Sequence, residues 1–350
     1  MLSKFRIILL PFSIIYGVAI WLRHKLFDFH ILKSKKGDLP TLVIGNIHAG
    51  GTGKTPHAEF FIRKLSEHFH LAFLSRGYGR KTRGYVFANQ ESTAEAIGDE
   101  PMQIHRRFPQ LEMAVCEDRL KGLTELQKST SANLVILDDA FQHRRLHPDF
   151  SIVLMPYGRP WWKDILLPAG NLRDSPSASG NADAIVVSKC PDFLTLEERK
   201  KLINWLQTYD NQIIAFSSIQ YGQPYQIHGK ALNLNKQTPI FGFAGIAETT
   251  DFENKIRADY SLTGFRKFAD HHIFSRNDIE SLKLECGNFA NDVPALMTTE
   301  KDAERLSLIS LPNDLAIFVL PIEIVWVDGE KELLEAILNR FIPGRKHHKK

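Results

Sequence analysis

Gly45-Asn46-Ile47-His48-Ala49-Gly50-Gly51-Thr52-Gly53-Lys54-Thr55 rises out of a short apolar run beginning at Thr41 and leads into the amphipathic stretch Pro56–His68. Strand, glycine-rich turn, Gly-Lys-Thr and helix are the physical parts of a phosphate-binding loop: glycines let backbone N–H groups curl round the phosphates, and the helix N-terminus adds its dipole. On this reading Gly50, Gly51, Thr52 and Gly53 wrap the phosphates of a nucleoside triphosphate, Lys54 reaches the β- and γ-phosphates, and Thr55 holds Mg²⁺. The first position of the strict G-x4-G-K-[ST] spacing is His48 rather than Gly, yet the three glycines keep the freedom that close backbone approach requires. A glycine-rich turn without a ligand is the competing reading.

Further along, Leu134-Val135-Ile136-Leu137-Asp138-Asp139 is an apolar strand ending in two carboxylates. In a parallel sheet the carboxyl ends of strands share one edge, where the phosphate loop also lies, so Asp138 and Asp139 are candidate Mg²⁺ ligands. Turn residues at a strand end are the plainer alternative. The two motifs together indicate NTP hydrolysis or phosphoryl transfer without choosing between them.

Short β-branched runs alternate with longer amphipathic stretches, the pattern of βα units in a parallel sheet flanked by helices. Expected strands are Thr41–Ile47, Leu71–Ser75, Leu134–Leu137, Ser151–Met155 and Ala184–Ser188. Beyond the turn-rich Gln220-Tyr221-Gly222-Gln223-Pro224, read as a linker, come strands near Ile240–Ala244, Ala295–Thr298 and Ala316–Leu320 and helices at Asn277–Cys286 and Glu330–Phe341. The expected fold is therefore a P-loop NTPase-type α/β sheet with a second, smaller α/β domain and an N-terminal membrane-associated helix. The expected boundaries are residues 1–25 for that helix, 26–219 for the phosphate-loop domain, 220–325 for the second, and 326–350 for a C-terminal helix and basic tail.

A chain of 350 residues, 43% apolar and 24% charged, is globular rather than disordered. Three cysteines in no CxxC pair indicate neither a zinc site nor a disulfide scaffold and suit a reducing compartment. A net charge of +4 without one basic stripe neither requires nor excludes nucleic acid, and no such partner is expected; a monomer is. Lys4 and Arg6 precede an uncharged run, Ile7 to Leu22, closed by Arg23, His24 and Lys25. That run falls short of the roughly 20 residues that span a bilayer and contains Pro11, so a shallow membrane helix is favoured over a robust span. A buried core helix and a signal peptide are the rivals, the latter lacking a clear cleavage site. The Arg345–Lys350 cluster is either a solvated tail or a contact to anionic lipid.

Asp138-Asp139-Ala140-Phe141-Gln142-His143-Arg144-Arg145-Leu146 resembles the D-D-G-F-Q-H-R-x-L signature of tetraacyldisaccharide 4′-kinases. Further segments similar to that family follow in its order: Gly45–Pro56, Ser75-Arg76-Gly77-Tyr78-Gly79-Arg80, Gly98-Asp99-Glu100-Pro101, Leu167–Asp174, Phe268–His272 and Thr298–Ala303. Ala140 replaces the usual Gly, and Asp174 stands where the family has Glu. The resemblance implies a kinase at the cytoplasmic face of the bacterial inner membrane that moves the γ-phosphate of ATP to the 4′-hydroxyl of a tetraacylated glucosamine disaccharide 1-phosphate in lipid A synthesis. It also implies two α/β/α units joined by a short β hinge.

Residue by residue, the resemblance implies Asp99 as the catalytic carboxylate and His271 as its partner, beside Lys54. It adds Gln142 and Asp174 to the metal candidates and His143 to the substrate candidates. Arg119 and Arg173 are candidate phosphate contacts, since a planar guanidinium grips two phosphoryl oxygens. Arg76, Tyr78 and Arg80, just past a strand, are candidates for the sugar head group or the nucleotide phosphates. By itself Gly98-Asp99-Glu100-Pro101 reads equally well as a helix start capped by Asp99. A membrane-tethered ATPase or GTPase switch, lacking a lipid acceptor, is the principal alternative function.

Overall fold

The computed structural model describes residues 6, 8–206, 212–287, 295–307, 309–313 and 315–342. Expectations for Lys4, Ile7 and the Arg345–Lys350 tail lie outside these residues. In the first half, β1 (Thr41–Asn46), β2 (Leu71–Ser75), β3 (Val86–Phe87), β4 (Glu112–Val115), β5 (Leu134–Asp138), β6 (Phe150–Pro156), β7 (Ala184–Ser188) and β8 (Ile213–Tyr221) alternate with helices. These are α1 (Leu10–Asp28), α2 (Lys54–Leu65), α3 (Ala94–Ile97), α4 (Asp99–Arg107), α5 (Arg119–Ser129) and α6 (Leu196–Leu206). Then follow β9 (Tyr225–His228), β10 (Pro239–Ala244), α7 (Thr250–Asp259), β11 (Ser261–Lys267), α8 (Arg276–Gly287), β12 (Ala295–Thr298), α9 (Glu300–Leu306), β13 (Ile317–Val319), β14 (Ile322–Asp328) and α10 (Glu330–Phe341).

Among the described residues the larger sheet has the order β14-β8-β7-β6-β1-β5-β2-β4-β3, with antiparallel pairing confined to its two ends. Strands β1, β2, β5, β6 and β7 are buried throughout, as their near-continuous apolarity demands of strands covered on both faces. On one face Phe61, Ile62 and Leu65 of α2 share a core with Leu333 and Ile337 of α10. On the other, Leu123 and Leu126 of α5 pack on Val43, Leu74 and Leu137. The smaller sheet, β11-β10-β12-β13-β9, is parallel except for β9.

The chain leaves the large sheet after Tyr221 and re-enters it at Ile322, where those two residues pair. Gln220 and Tyr221, read as linker, are in fact the end of β8. The polar second half of that strand is held by β14, whose Ile-Glu-Ile-Val-Trp-Val-Asp run supplies a ladder that local composition does not announce.

Helix α1 lies against the loop that follows β6. Ser13 Oγ donates to the Leu166 carbonyl at 2.9 Å and accepts from Ala169 N at 2.9 Å, and Tyr16 donates to the Arg173 carbonyl at 3.0 Å. Its opposite face exposes Phe12, Ile14, Ile15, Val18, Trp21 and Leu22. No described helix is long and apolar enough to cross a membrane.

Candidate active site

The carboxyl ends of β1 and β5 and the start of α2 converge on one edge of the large sheet, beside the point where β1 is flanked by β5 and β6. The turn into α2 carries Gly50, Gly51 and Gly53 at φ of 67°, 55° and 87°, a left-handed path that side-chain-bearing residues rarely take. Thr52 is buried: Asn46 Nδ2 donates to its hydroxyl at 2.6 Å and Ser188 Oγ to its carbonyl at 2.8 Å. Behind the loop, buried His57 bridges the Gly53 carbonyl at 2.7 Å and Ser217 Oγ of β8 at 2.8 Å, and burial holds the imidazole neutral with a pKa of about 4. His48 is buried as well, 3.8 Å from Asp164, and its two ring nitrogens have no hydrogen-bond partner among the described residues.

Asp138 and Asp139, indistinguishable in sequence, differ sharply in surroundings. Asp139 lies 3.7 Å from Lys54 Nζ and takes both ends of the Arg173 guanidinium, one at 2.8 Å. Burial opposes its ionisation, but Arg173 and then Lys54 outweigh burial and hold the pKa at about 2. Asp138 is buried, with Oδ1 unpartnered among the described residues and Oδ2 3.5 Å from Ser75 Oγ. Burial first, then the charges of Glu100 and Asp139, push it up to about 7. An orphaned buried carboxylate oxygen beside a phosphate loop suits a hard cation, and Thr55 offers a second oxygen donor. Mg²⁺ is usually held by one or two carboxylates and substrate phosphates rather than an all-protein cage. No group of three or more acidic, His or Cys ligands occurs among the described residues.

Arg173 also donates to Asn46 Oδ1, so it braces the loop. Arg119 is buried, donating to the Cys116 carbonyl at 3.1 Å and the Asp138 carbonyl at 3.5 Å, with Arg76 close enough to act on its charge. Gln142 gives its amide to the Asn46 carbonyl at 2.7 Å. His143 has a buried Nε2 without a hydrogen-bond partner among the described residues and is kept near a pKa of about 4 by burial and Arg119. Asp174 is buried in a 2.7 Å pair with His24 of α1 and accepts from Ser175 N at 2.8 Å, and so faces the helix. Arg80 is spent on Glu117 and the Gly84 carbonyl, each at 2.6 Å, while Arg76 and Tyr78 stay exposed.

Asp99 does not cap α4: Gly98, at φ 97°, occupies the cap position, where a side chain would collide with the Tyr78 carbonyl. The Asp99 carboxylate is thereby free to cross the cleft to the smaller sheet. There His271 Nδ1 lies 3.6 Å from Oδ2 and Arg305 Nε 3.1 Å from the same oxygen. His271, then Arg305, hold the Asp99 pKa below its ordinary value, and Asp99 in turn raises that of His271. Glu100, next to it, pairs with Lys301, whose charge keeps it ionised.

A cleft of about 350 Å³ lies between the sheets, lined by Gly50–Thr55, Glu100 and Lys189 on one side and Ile246, His271 and Lys301 on the other. It is of the size that small-ligand sites occupy. Sequence reading missed Arg305, Glu100, Asn46 and His24. Glu100 and Asn46 lie inside segments already singled out, whereas nothing in the local pattern distinguishes Arg305 from a surface charge.

The family model for tetraacyldisaccharide-1-P 4′-kinase matches residues 5–342 of this chain. A tetraacyldisaccharide 4′-kinase from Phocaeicola vulgatus is 36% identical over 345 residues, covering 95% of this chain and 94% of its own length. One from Bacteroides thetaiotaomicron is 38% identical over 341 residues, covering 93% and 90%. Among solved structures, LpxK from Aquifex aeolicus, crystallised in complex with ATP, aligns with a TM-score of 0.75 at 27% identity, across 97% of this chain and 100% of that one.

Proposed function

Since the chain belongs to the tetraacyldisaccharide-1-P 4′-kinase family, and is thus an ATP-binding lipid A 4′-kinase, we propose the following division of labour among its residues. Gly50–Gly53 and Lys54 hold the triphosphate, and Lys54 follows the charge of the γ-phosphoryl group as its bond to the leaving oxygen breaks. Thr55 and Asp138 would hold Mg²⁺, which supplies charge neutralisation on the β- and γ-phosphates. Asp139 is a locking residue: its strong pairing keeps Lys54 and Arg173 oriented along the loop.

Asp99 takes the proton of the acceptor hydroxyl, and the observation that carries this role is a carboxylate held ionised against His271 and Arg305, both of which line the cleft. Exposed Arg76 and Tyr78, with His143, receive the phosphorylated disaccharide. The enzyme acts as a monomer at the cytoplasmic face of the bacterial inner membrane, with the apolar face of α1 set into the lipid interface.

The test is transfer from labelled ATP, with Mg²⁺, to a tetraacyldisaccharide 1-phosphate dispersed in lipid. A bisphosphorylated product formed in proportion to acceptor supports the reading. ATP turnover indifferent to acceptor would instead indicate a switch-type ATPase.

A further inference from the structure

Arg305, on α9, is 4% exposed, and its guanidinium makes four directed contacts. Nη1 donates to Asp302 Oδ1 at 2.9 Å and to the Gly245 carbonyl at 2.9 Å. Asp302 is itself fixed by Gly245 N at 3.0 Å and Thr299 Oγ1 at 2.8 Å. The charge of Arg305 is thus balanced within its own half of the molecule. What remains is an edge of the fork, Nε at 3.1 Å from Asp99 Oδ2 and Nη2 at 3.2 Å from His271 Nδ1, turned across the cleft. With Asp302 as a buried partner, Arg305 does not depend on Asp99 to stay in place, so this edge aligns the carboxylate as well as stabilising its charge.

His271 Nδ1 faces competing demands. It cannot accept from Arg305 and donate to Asp99 at once, and the guanidinium, permanently charged, is the nearer partner at 3.2 Å against 3.6 Å. Nε2 of the same ring lies 4.0 Å from Asp270. Asp99 and His271 thus share the Arg305 fork as well as facing one another at 3.6 Å, and no hydrogen bond to Asp99 Oδ1 occurs among the described residues.

We propose that Arg305 is a positioning residue for phosphoryl transfer, aligning Asp99 and His271 across the cleft so that the carboxylate is presented to the acceptor hydroxyl when the two sheets are docked. This rests on the reading of Asp99 as the base. The charged groups facing Asp99 are His271 and Asp270 after β11, Arg305, Glu304 and Lys301 on α9, and its neighbour Glu100; the Tyr78 ring lies beside His271. Of these, Arg305 makes the shortest contact with the carboxylate, and its loss moves Asp99 towards the protonated form.

Single-turnover transfer at saturating ATP and lipid is to be measured across pH for the full chain, Arg305→Ala, Arg305→Lys, Asp99→Asn and the double variant Arg305→Ala/Asp99→Asn. Arg305→Ala is expected to slow transfer by about 10-fold or more, since small misplacements of reacting groups cost up to about 10²-fold. It should shift the acid limb to higher pH and recover in part with added guanidinium, leaving ATP affinity within about 3-fold. In the Asp99→Asn background the same substitution should cost little more. Multiplicative losses in the double variant, or weaker ATP binding with an unchanged rate and pH profile, would overturn the inference. If Arg305→Ala does not fold, Arg305→Lys carries the same comparison, because one ammonium cannot reproduce the fork. A wild-type rate in Asp99→Asn would remove the base itself, which is a different failure from a slow Asp99→Asn that Arg305→Ala slows multiplicatively further.

Discussion

Replacing Glu59 by Gln should stabilise the protein increasingly as pH rises. Glu59 sits on α2 in the wall of the cleft, 3% exposed, with Gln103 Nε2 at 3.2 Å and Arg107 at 2.9 Å. Arg107 is shared with Glu300 at 2.7 Å and Glu323 at 3.4 Å, and Arg63 stands farther off, 3.7 Å from Glu59 and 3.6 Å from Glu323, so two guanidiniums face three carboxylates and leave them undercompensated. Burial is the largest influence on Glu59; Arg107 opposes it, Glu300 reinforces it, and the pKa rises from 4.5 to about 7. A folded-state pKa above the unfolded one means that folding favours the protonated carboxyl. The linked stability is complete below the unfolded pKa and is lost as pH rises through the folded one. At about 1.4 kcal/mol per unit, the loss is about 2.5 kcal/mol between about pH 5 and pH 8. Gln keeps the shape and does not titrate, so any fixed packing difference cancels when the pH slopes are compared. Urea unfolding of both proteins at several pH values is the assay. A stability difference that stays flat or shrinks with pH would refute the reasoning and show that Arg107 keeps Glu59 ionised in the folded state.

Lys54→Ala should abolish transfer in the labelled-ATP assay while the protein remains folded by circular dichroism; near-normal turnover would separate the loop from the phosphate site. Asp99→Asn should lower kcat by roughly 10²-fold or more with ATP affinity retained, as general-base catalysis contributes about 10²–10⁴-fold, and stopped-flow nucleotide binding tells the two effects apart. Ile15→Glu with Trp21→Glu, on the exposed face of α1, should move the protein from lipid vesicles to the supernatant in a sedimentation assay. Unchanged sedimentation would assign membrane attachment to another surface.

The strands buried on both faces, such as Leu71–Ser75 and Ala184–Ser188, were legible because continuous apolarity permits no other placement. The phosphate loop was legible because its glycines and lysine are adjacent in the chain. Strands β8 and β14 were not: each owes its place to the other, across a hundred intervening residues. The same reason hid Arg305. Its partners Asp99 and His271 lie 206 and 34 positions away, and an arginine on a short helix looks the same in sequence whether it meets solvent or a carboxylate. Asp138 and Asp139 likewise parted company only once Arg173 and Lys54 were placed around one of them.

Where β8 and β14 lie side by side, the chain passes between the sheets twice through neighbouring segments, and Gly222 N donates to the Pro321 carbonyl at 2.9 Å. Two adjacent tethers a few residues long, each carrying a proline, leave the smaller sheet little volume to explore. Contacts between the halves, such as Lys301 with Glu100 and Arg106 with Ser307 at 2.9 Å, therefore form at a high effective concentration set by tether length rather than by diffusion. Partly exposed polar contacts worth at most about 1 kcal/mol each can then hold the docked arrangement without any one of them being strong.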